Sequence, residues 1–102
     1  MRIRFRSRKL QQLYETETGT RHYPPEVVAG FFEAMTVIRA AADERDLYAL
    51  KGFHFEKLKG ERGKAGERSL RLNKQWRLIV KVDRDAEGKL ILILDIEKHY
   101  NE

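Results

Sequence analysis

The chain has 102 residues, of which 41% are hydrophobic and 36% charged, with a formal net charge of +5. That length supplies one domain, residues 1–102, with a single hydrophobic core and no room for a second. The absence of Cys excludes disulfides and thiolate metal sites, and with no membrane-length apolar run and no signal-peptide h-region it points to a cytoplasmic protein with no membrane role.

The positive charge is blocked along the chain. Met1 to Lys9 carries +5, Leu10 to Leu50 −4, Lys51 to Lys81 +7 and Val82 to Glu102 −3. A basic block interleaved with aromatic side chains attracts polyanions, and neutralising phosphates releases counterions, so nucleic acid is the favoured class of partner.

In chain order, Met1, Ile3 and Phe5 alternate with Arg2 and Arg4, which predicts a short half-buried strand. Ser7 is placed to cap a brief helix carrying Leu10, Leu13 and Tyr14, with Gly19 as its stop. Pro25 suits the first turn of a second helix, where its missing N–H costs no hydrogen bond. Val27, Phe31, Met35, Ile38 and Ala42, widened by Val28 and Phe32, form that helix's apolar stripe. Asp43 to Asp46 marks a break before a short helical turn around Leu47 to Leu50.

From Phe53 the period changes to two. Phe53 and Phe55 alternate with His54 and Glu56, Leu70 and Leu72 with Arg71, and Trp76, Leu78, Val80 and Val82 with Arg77, Ile79 and Lys81. Lys59 to Gly66 reads as a basic, glycine-rich loop, Asn73-Lys74 as a tight turn and Asp83 to Lys89 as a looser one. Leu90 to Ile96, apolar but for Asp95, reads as a central strand covered on both faces. The order predicts an α+β domain in which N-terminal helices cover one face of a twisted antiparallel sheet.

The other face is then free. Strand alternation puts Arg71 and Arg77 on it, opposite Leu70, Leu72, Trp76 and Leu78, and a short turn brings the arginines near each other. Arg is the side chain that grips phosphate at two points, so the pair is a candidate anion site. The three histidines, His22, His54 and His99, are scattered and lack metal-ligand spacing, so neither metal nor other cofactor is expected. Metal-free cleavage of RNA needs only an acid, a base and cations: a ribose 2′-hydroxyl attacks its own 3′ phosphate while Arg or Lys stabilises the added charge. His54, Glu56 and His99 are the candidate proton-transfer groups, with His54 and Glu56 sharing one side of a strand and either serving as base. His22, beside Tyr23 and two prolines, reads as structural.

Leu58-Lys59-Gly60-Glu61-Arg62, followed by Gly66-Glu67-Arg68-Ser69-Leu70-Arg71-Leu72-Asn73-Lys74-Gln75-Trp76-Arg77-Leu78, resembles the signature of HigB-type toxins in the RelE/ParE superfamily of bacterial toxin-antitoxin systems. The resemblance is specific over the C-terminal half, and the preceding helical segment agrees in order and length. It implies a microbial-ribonuclease-like, RelE-like fold and a ribosome-dependent endoribonuclease, an mRNA interferase, that enters the A site of the 70S ribosome and cuts messenger RNA. A cognate helix-turn-helix antitoxin is the implied partner. Lys59, Arg71 and Arg77 fall on the family's phosphate-contacting positions. Lys57, Arg62, Lys64, Arg68, Lys74, Lys98 and Tyr100 complete the expected RNA contacts. Where family members commonly end the last strand with Asp-Tyr-His, this chain has Glu97-Lys98-His99-Tyr100, so Lys stands where Tyr is usual. Some members place His two residues before Leu-Lys-Gly, a position held here by Glu56. The alternative is a gyrase-inhibiting toxin of the ParE branch, which shares the fold without the catalytic set.

Overall fold

A computed structural model describes residues 1–98. The elements run β1 (Arg2–Phe5), α1 (Arg8–Thr16), a 3₁₀ turn (Thr20–His22), α2 (Pro25–Ala40), α3 (Glu44–Tyr48), a second 3₁₀ turn (Lys51–Phe53), β2 (Glu56–Lys57), α4 (Gly60–Lys64), β3 (Glu67–Arg71), β4 (Trp76–Asp85) and β5 (Gly88–Lys98).

Helix boundaries follow local chemistry. Ser7 Oγ accepts from the Leu10 amide at 3.2 Å and starts α1, which buries Leu10 and Leu13. The helix stops at Thr16, capped by Glu17 in the left-handed conformation (φ 56°), while Gly19, left-handed as well (φ 89°), opens the 3₁₀ turn that follows. Pro25 occupies the first turn of α2, and the helix buries Val27, Phe31, Ala34, Met35 and Ile38. The expected stripe ends one residue early: α2 stops at Ala40, so Ala41 is buried and Ala42 exposed. Asp43 to Asp46, expected as a break, instead builds a helix start. The Asp43 side chain accepts from the Arg45 amide while Asp46 reaches back to the Asp43 amide, and this reciprocal cap opens α3.

The sheet has five strands in the order β1-β5-β4-β3-β2. Three pairings are antiparallel, as the hairpin signals require, but β1 lies parallel to β5, with Ile3 opposite Ile91 and Phe5 opposite Ile93. The sheet is therefore mixed. A register shift between Ile79 and Val80 accommodates one extra residue on β5, so that Ile96 faces Leu78 and Ile93, not Leu94, faces Val80. Unbroken alternation from Ile91 and Ile93 would turn Asp95 toward the helices; the bulge leaves Asp95 exposed and puts Ile96 in the core instead.

One layer of helices covers one face. Leu70, Leu78, Val80, Ile91 and Ile93 meet Leu10, Leu13, Phe31, Met35 and Ile38 in one buried cluster. Burying a side chain of Leu or Phe size contributes about 1.5–3 kcal/mol. Tyr14 stacks on Phe32 at 6.2 Å and meets Phe31 edge-on at 6.4 Å, tying α1 to α2. Ile79 and Leu90 are buried outside that cluster, on the opposite face.

The segment around β2 departs most from expectation. Only Glu56 and Lys57 are strand, and His54 closes the preceding 3₁₀ turn at φ 46°. His54 and Glu56 thus do not alternate along one strand, because the left-handed residue turns the chain between them. The expected loop Lys59 to Gly66 contains α4. Gly63 lets it close against the chain it follows, since a Cβ there would sit 1.8 Å from the Leu58 carbonyl oxygen. No helix among the described residues is long and apolar enough to cross a membrane.

Candidate active site on the open face of the sheet

The site is organised by the β3–β4 hairpin. Its turn is held by Asn73, whose Oδ1 accepts from the Gln75 and Trp76 amides at 2.9 and 2.8 Å and whose Nδ2 donates to Glu26 on α2. The turn sets the register that places Arg71 directly opposite Arg77. Both arginines therefore stand on the face away from the helices, as alternation from Leu70 and Leu78 predicts. Ser69 and Glu56 face each other one step further along.

These residues border one small cleft of about 60 Å³, lined by His54, Glu56, Ser69, Arg71, Asn73, Lys74 and Arg77. His54 reaches it from the turn, not from a strand. Arg77 Nη1 donates to Ser69 Oγ at 3.3 Å and lies 3.8 Å from Glu56 Oε1. Arg71 and Lys74 are exposed. The cleft thus combines three cations that suit an anion with an imidazole and a carboxylate able to exchange protons.

Other expected RNA contacts are placed differently. Arg62 spends its guanidinium on protein: Nε donates to Glu67 at 2.9 Å, and Nη1 and Nη2 donate to Glu97 at 3.2 and 2.9 Å. Those hydrogen bonds, Glu97 first, raise the Arg62 pKa further. The bridge straps α4 across β3 to β5, beside a second cleft lined by Leu58, Arg62, Arg77, Ile79, Glu97 and Lys98. Arg68 turns toward the helices, where Nε donates to Tyr48 Oη at 3.1 Å and Nη1 to the Glu67 carbonyl at 3.1 Å. Lys57 pairs in register with Arg68 and so faces away from Glu56. Lys59 is exposed at the start of α4, and Lys64 pairs with Glu61 at 3.5 Å. Lys98 is exposed at the end of β5. His99 and Tyr100 lie outside the described residues.

The tight turn at Asn73-Lys74 was read from the sequence, but the side-chain bonds by which Asn73 holds it, and the place of Ser69, were not. A signal for Ser69 exists, because a small hydroxyl residue between Arg68 and Leu70 falls in phase with Arg71 on the open face. Among the described residues no group of three or more His, Cys, Asp or Glu side chains is arranged to hold a metal ion.

A mixed sheet with helices on one face is a fold this chain shares with solved structures of bacterial toxins. A YoeB/ParE toxin from Agrobacterium tumefaciens superposes with a TM-score of 0.58 at 16% identity, covering 98% of this chain and 100% of that one. YafQ from E. coli gives 0.58 at 14% identity over 96% and 93% of the two chains. A YoeB–YefM complex from Staphylococcus aureus gives 0.56 at 23% identity over 98% of each.

Sequence narrows the class. The model of the RelE-like toxin of type II toxin-antitoxin system HigB matches residues 3–98, and the chain belongs to that family. Toxin HigB-1 of Vibrio cholerae serotype O1 is 35% identical over 79 residues, 78% of this chain and 81% of that protein.

Proposed function

We propose that the protein is a ribosome-dependent endoribonuclease that cuts messenger RNA by metal-free acid-base chemistry. A base, His54 or Glu56, takes the proton of a ribose 2′-hydroxyl, whose oxygen attacks the adjacent phosphorus. The P–O5′ bond breaks, the departing oxygen takes a proton from an acid, for which His99 is the candidate, and a 2′,3′-cyclic phosphate and a 5′-hydroxyl remain. Arg71 and Arg77 stabilise the charge gathered on the phosphoryl oxygens, with Lys59 and Lys74 as further backbone contacts.

The observation that carries this reading is the cleft itself, where Arg71 and Arg77 face each other in register and His54 and Glu56 border the same space. The match to a toxin family of type II systems supports an antitoxin as the regulating partner, and a cytoplasmic location follows from the ribosomal substrate.

The test is to induce the protein in a bacterial host and map messenger 5′ ends, then repeat in a translating extract. New ends inside coding regions, appearing only with ribosomes, are expected. Arg77→Ala should reduce their formation on the order of 10²- to 10³-fold, the usual cost of one transition-state charge partner. Unaltered messenger ends would overturn the reading, as would inhibited gyrase supercoiling with RNA left intact.

A further inference from the structure

Ser69 is in the cleft but has no part in that chemistry. It is 2% exposed and is the one buried polar side chain among the described residues. Its place on β3 sets it between Glu56 on β2 and Ile79 on β4. A buried hydroxyl without a partner is destabilising, and this one accepts from Arg77 Nη1 at 3.3 Å. That contact in turn restrains the guanidinium. The Arg77 side chain is only 21% exposed, whereas Arg71 is exposed and makes no ion pair with the described residues. The two arginines of one cleft thus differ in how far they are oriented in advance.

Glu56 Oε1, at 3.8 Å, approaches the same nitrogen. Ser69 and Glu56 thus both approach Arg77 Nη1, the hydroxyl within hydrogen-bond reach and the carboxylate only at ion-pair distance. While the hydroxyl holds that nitrogen, the carboxylate stays at ion-pair distance without a direct hydrogen bond and remains available for other work. Loss of the hydroxyl would remove one restraint on the guanidinium, and Glu56 at 3.8 Å is then close enough to draw it away from a phosphate and to be masked by it. A donor already aimed at the developing charge also stabilises a transition state better than one that must reorganise.

We propose that Ser69 is a positioning residue that acts through Arg77, setting its guanidinium toward the substrate phosphate and keeping it off Glu56. The proposal rests on the nuclease reading above, and the experiment separates the two.

The full-length protein, Ser69→Ala, Ser69→Thr, Arg77→Ala and the Ser69→Ala/Arg77→Ala double variant are compared for ribosome-dependent cleavage, with melting curves confirming that each folds. Ser69→Ala should lower the cleavage rate constant about tenfold at little change in half-saturating ribosome concentration, the scale of one hydrogen bond to a charged group. Ser69→Thr, which keeps the Oγ, should recover most of the rate, and Ser69→Ala should cost nothing further once Arg77 is Ala. A Ser69→Ala protein as fast as the parent would overturn the proposal, as would losses that add fully in the double variant.

If Ser69→Thr does not fold, the double-variant comparison decides. Should the parent cut no RNA, the nuclease reading fails, and ¹⁵N NMR of the Arg77 side chain still tests the positioning. Its guanidinium resonances should be restrained in the parent and shifted and broadened in Ser69→Ala, and unchanged spectra would reject the proposal.

Discussion

At the scale of single residues, the two arginines of the hairpin share a charge and differ in mechanics. Arg77 is flanked by Ser69 and Glu56, and Arg71 stands exposed on the neighbouring strand. A guanidinium can grip two acceptors in a fixed plane while a lysine ammonium is a compact point charge on a flexible stem. Arg77→Lys should therefore keep the positive charge and lose the simultaneous hold on Ser69 and phosphate, lowering the cleavage rate by about tenfold or more. Arg71→Lys, at a position with no such anchoring, should retain most of the activity. Cleavage rates of the two variants in the same translating extract check this, and equal losses would contradict it. Arg62 and Arg68 show why charge alone is a poor guide to a binding role. Both lie in the basic block, yet their donors are directed at Glu67, Glu97, Tyr48 and backbone carbonyls. Nothing local in Gly60-Glu61-Arg62-Gly63 announces a carboxylate on β5, because that partner is 35 residues away.

At the scale of elements, α2 meets the hairpin that carries the arginines. A Cβ added at Gly30 would lie 2.6 Å from the Leu72 carbonyl oxygen, so glycine is what lets the helix approach the turn this closely. In an open helix interior, Gly→Ala stabilises by about 1 kcal/mol. Here Gly30→Ala should reverse that sign and cost about 1–3 kcal/mol, since the acceptor is backbone and one end of the β3–β4 turn must shift. Urea unfolding measures it, with an unchanged m-value showing that the loss is in the native state. The same displacement should disturb Arg71 and Arg77, so reduced cleavage is expected beside reduced stability. The helix itself was legible from Pro25 and the Val27–Phe31–Met35–Ile38 stripe, and the hairpin from its alternation, since both patterns are local. Less visible was α4, whose two glycines argue against a helix and whose close contact with Leu58 is a matter of tertiary fit. The same holds for His54, whose turn ends in a left-handed residue that no period-2 pattern anticipates.

At the scale of the molecule, the blocked charge resolves into two uses. The central block supplies Arg71, Lys74 and Arg77 to the cleft, while the N-terminal block is partly consumed in closing the sheet. β1 is an edge strand whose one sheet neighbour is β5, and its parallel pairing joins residues some 88 positions apart. Alternation predicts that strand but not its partner, because parallel neighbours share no turn. Arg2 reaches over β5 to the end of β4, donating to both Asp85 oxygens at 2.8 and 2.7 Å, and Arg4 adds a third contact at 3.0 Å. These bonds, that of Arg2 first, hold the Asp85 carboxyl well below the usual carboxylate range. A carboxyl whose folded-state pKa is depressed adds stability that is complete above its unfolded-state value, near 3.9, and drains away as pH falls through the window beneath it. Asp85→Asn should therefore melt below the parent at neutral pH, with the gap narrowing as pH falls from about 4 toward 2. High salt should narrow it as well, because both arginines are partly exposed. Hydrogen exchange at the β1 amides should quicken in the variant at neutral pH while the hairpin amides of β3 and β4 keep their protection. Equal acceleration in both places would mean that Asp85 supports the whole sheet and not the attachment of its edge strand.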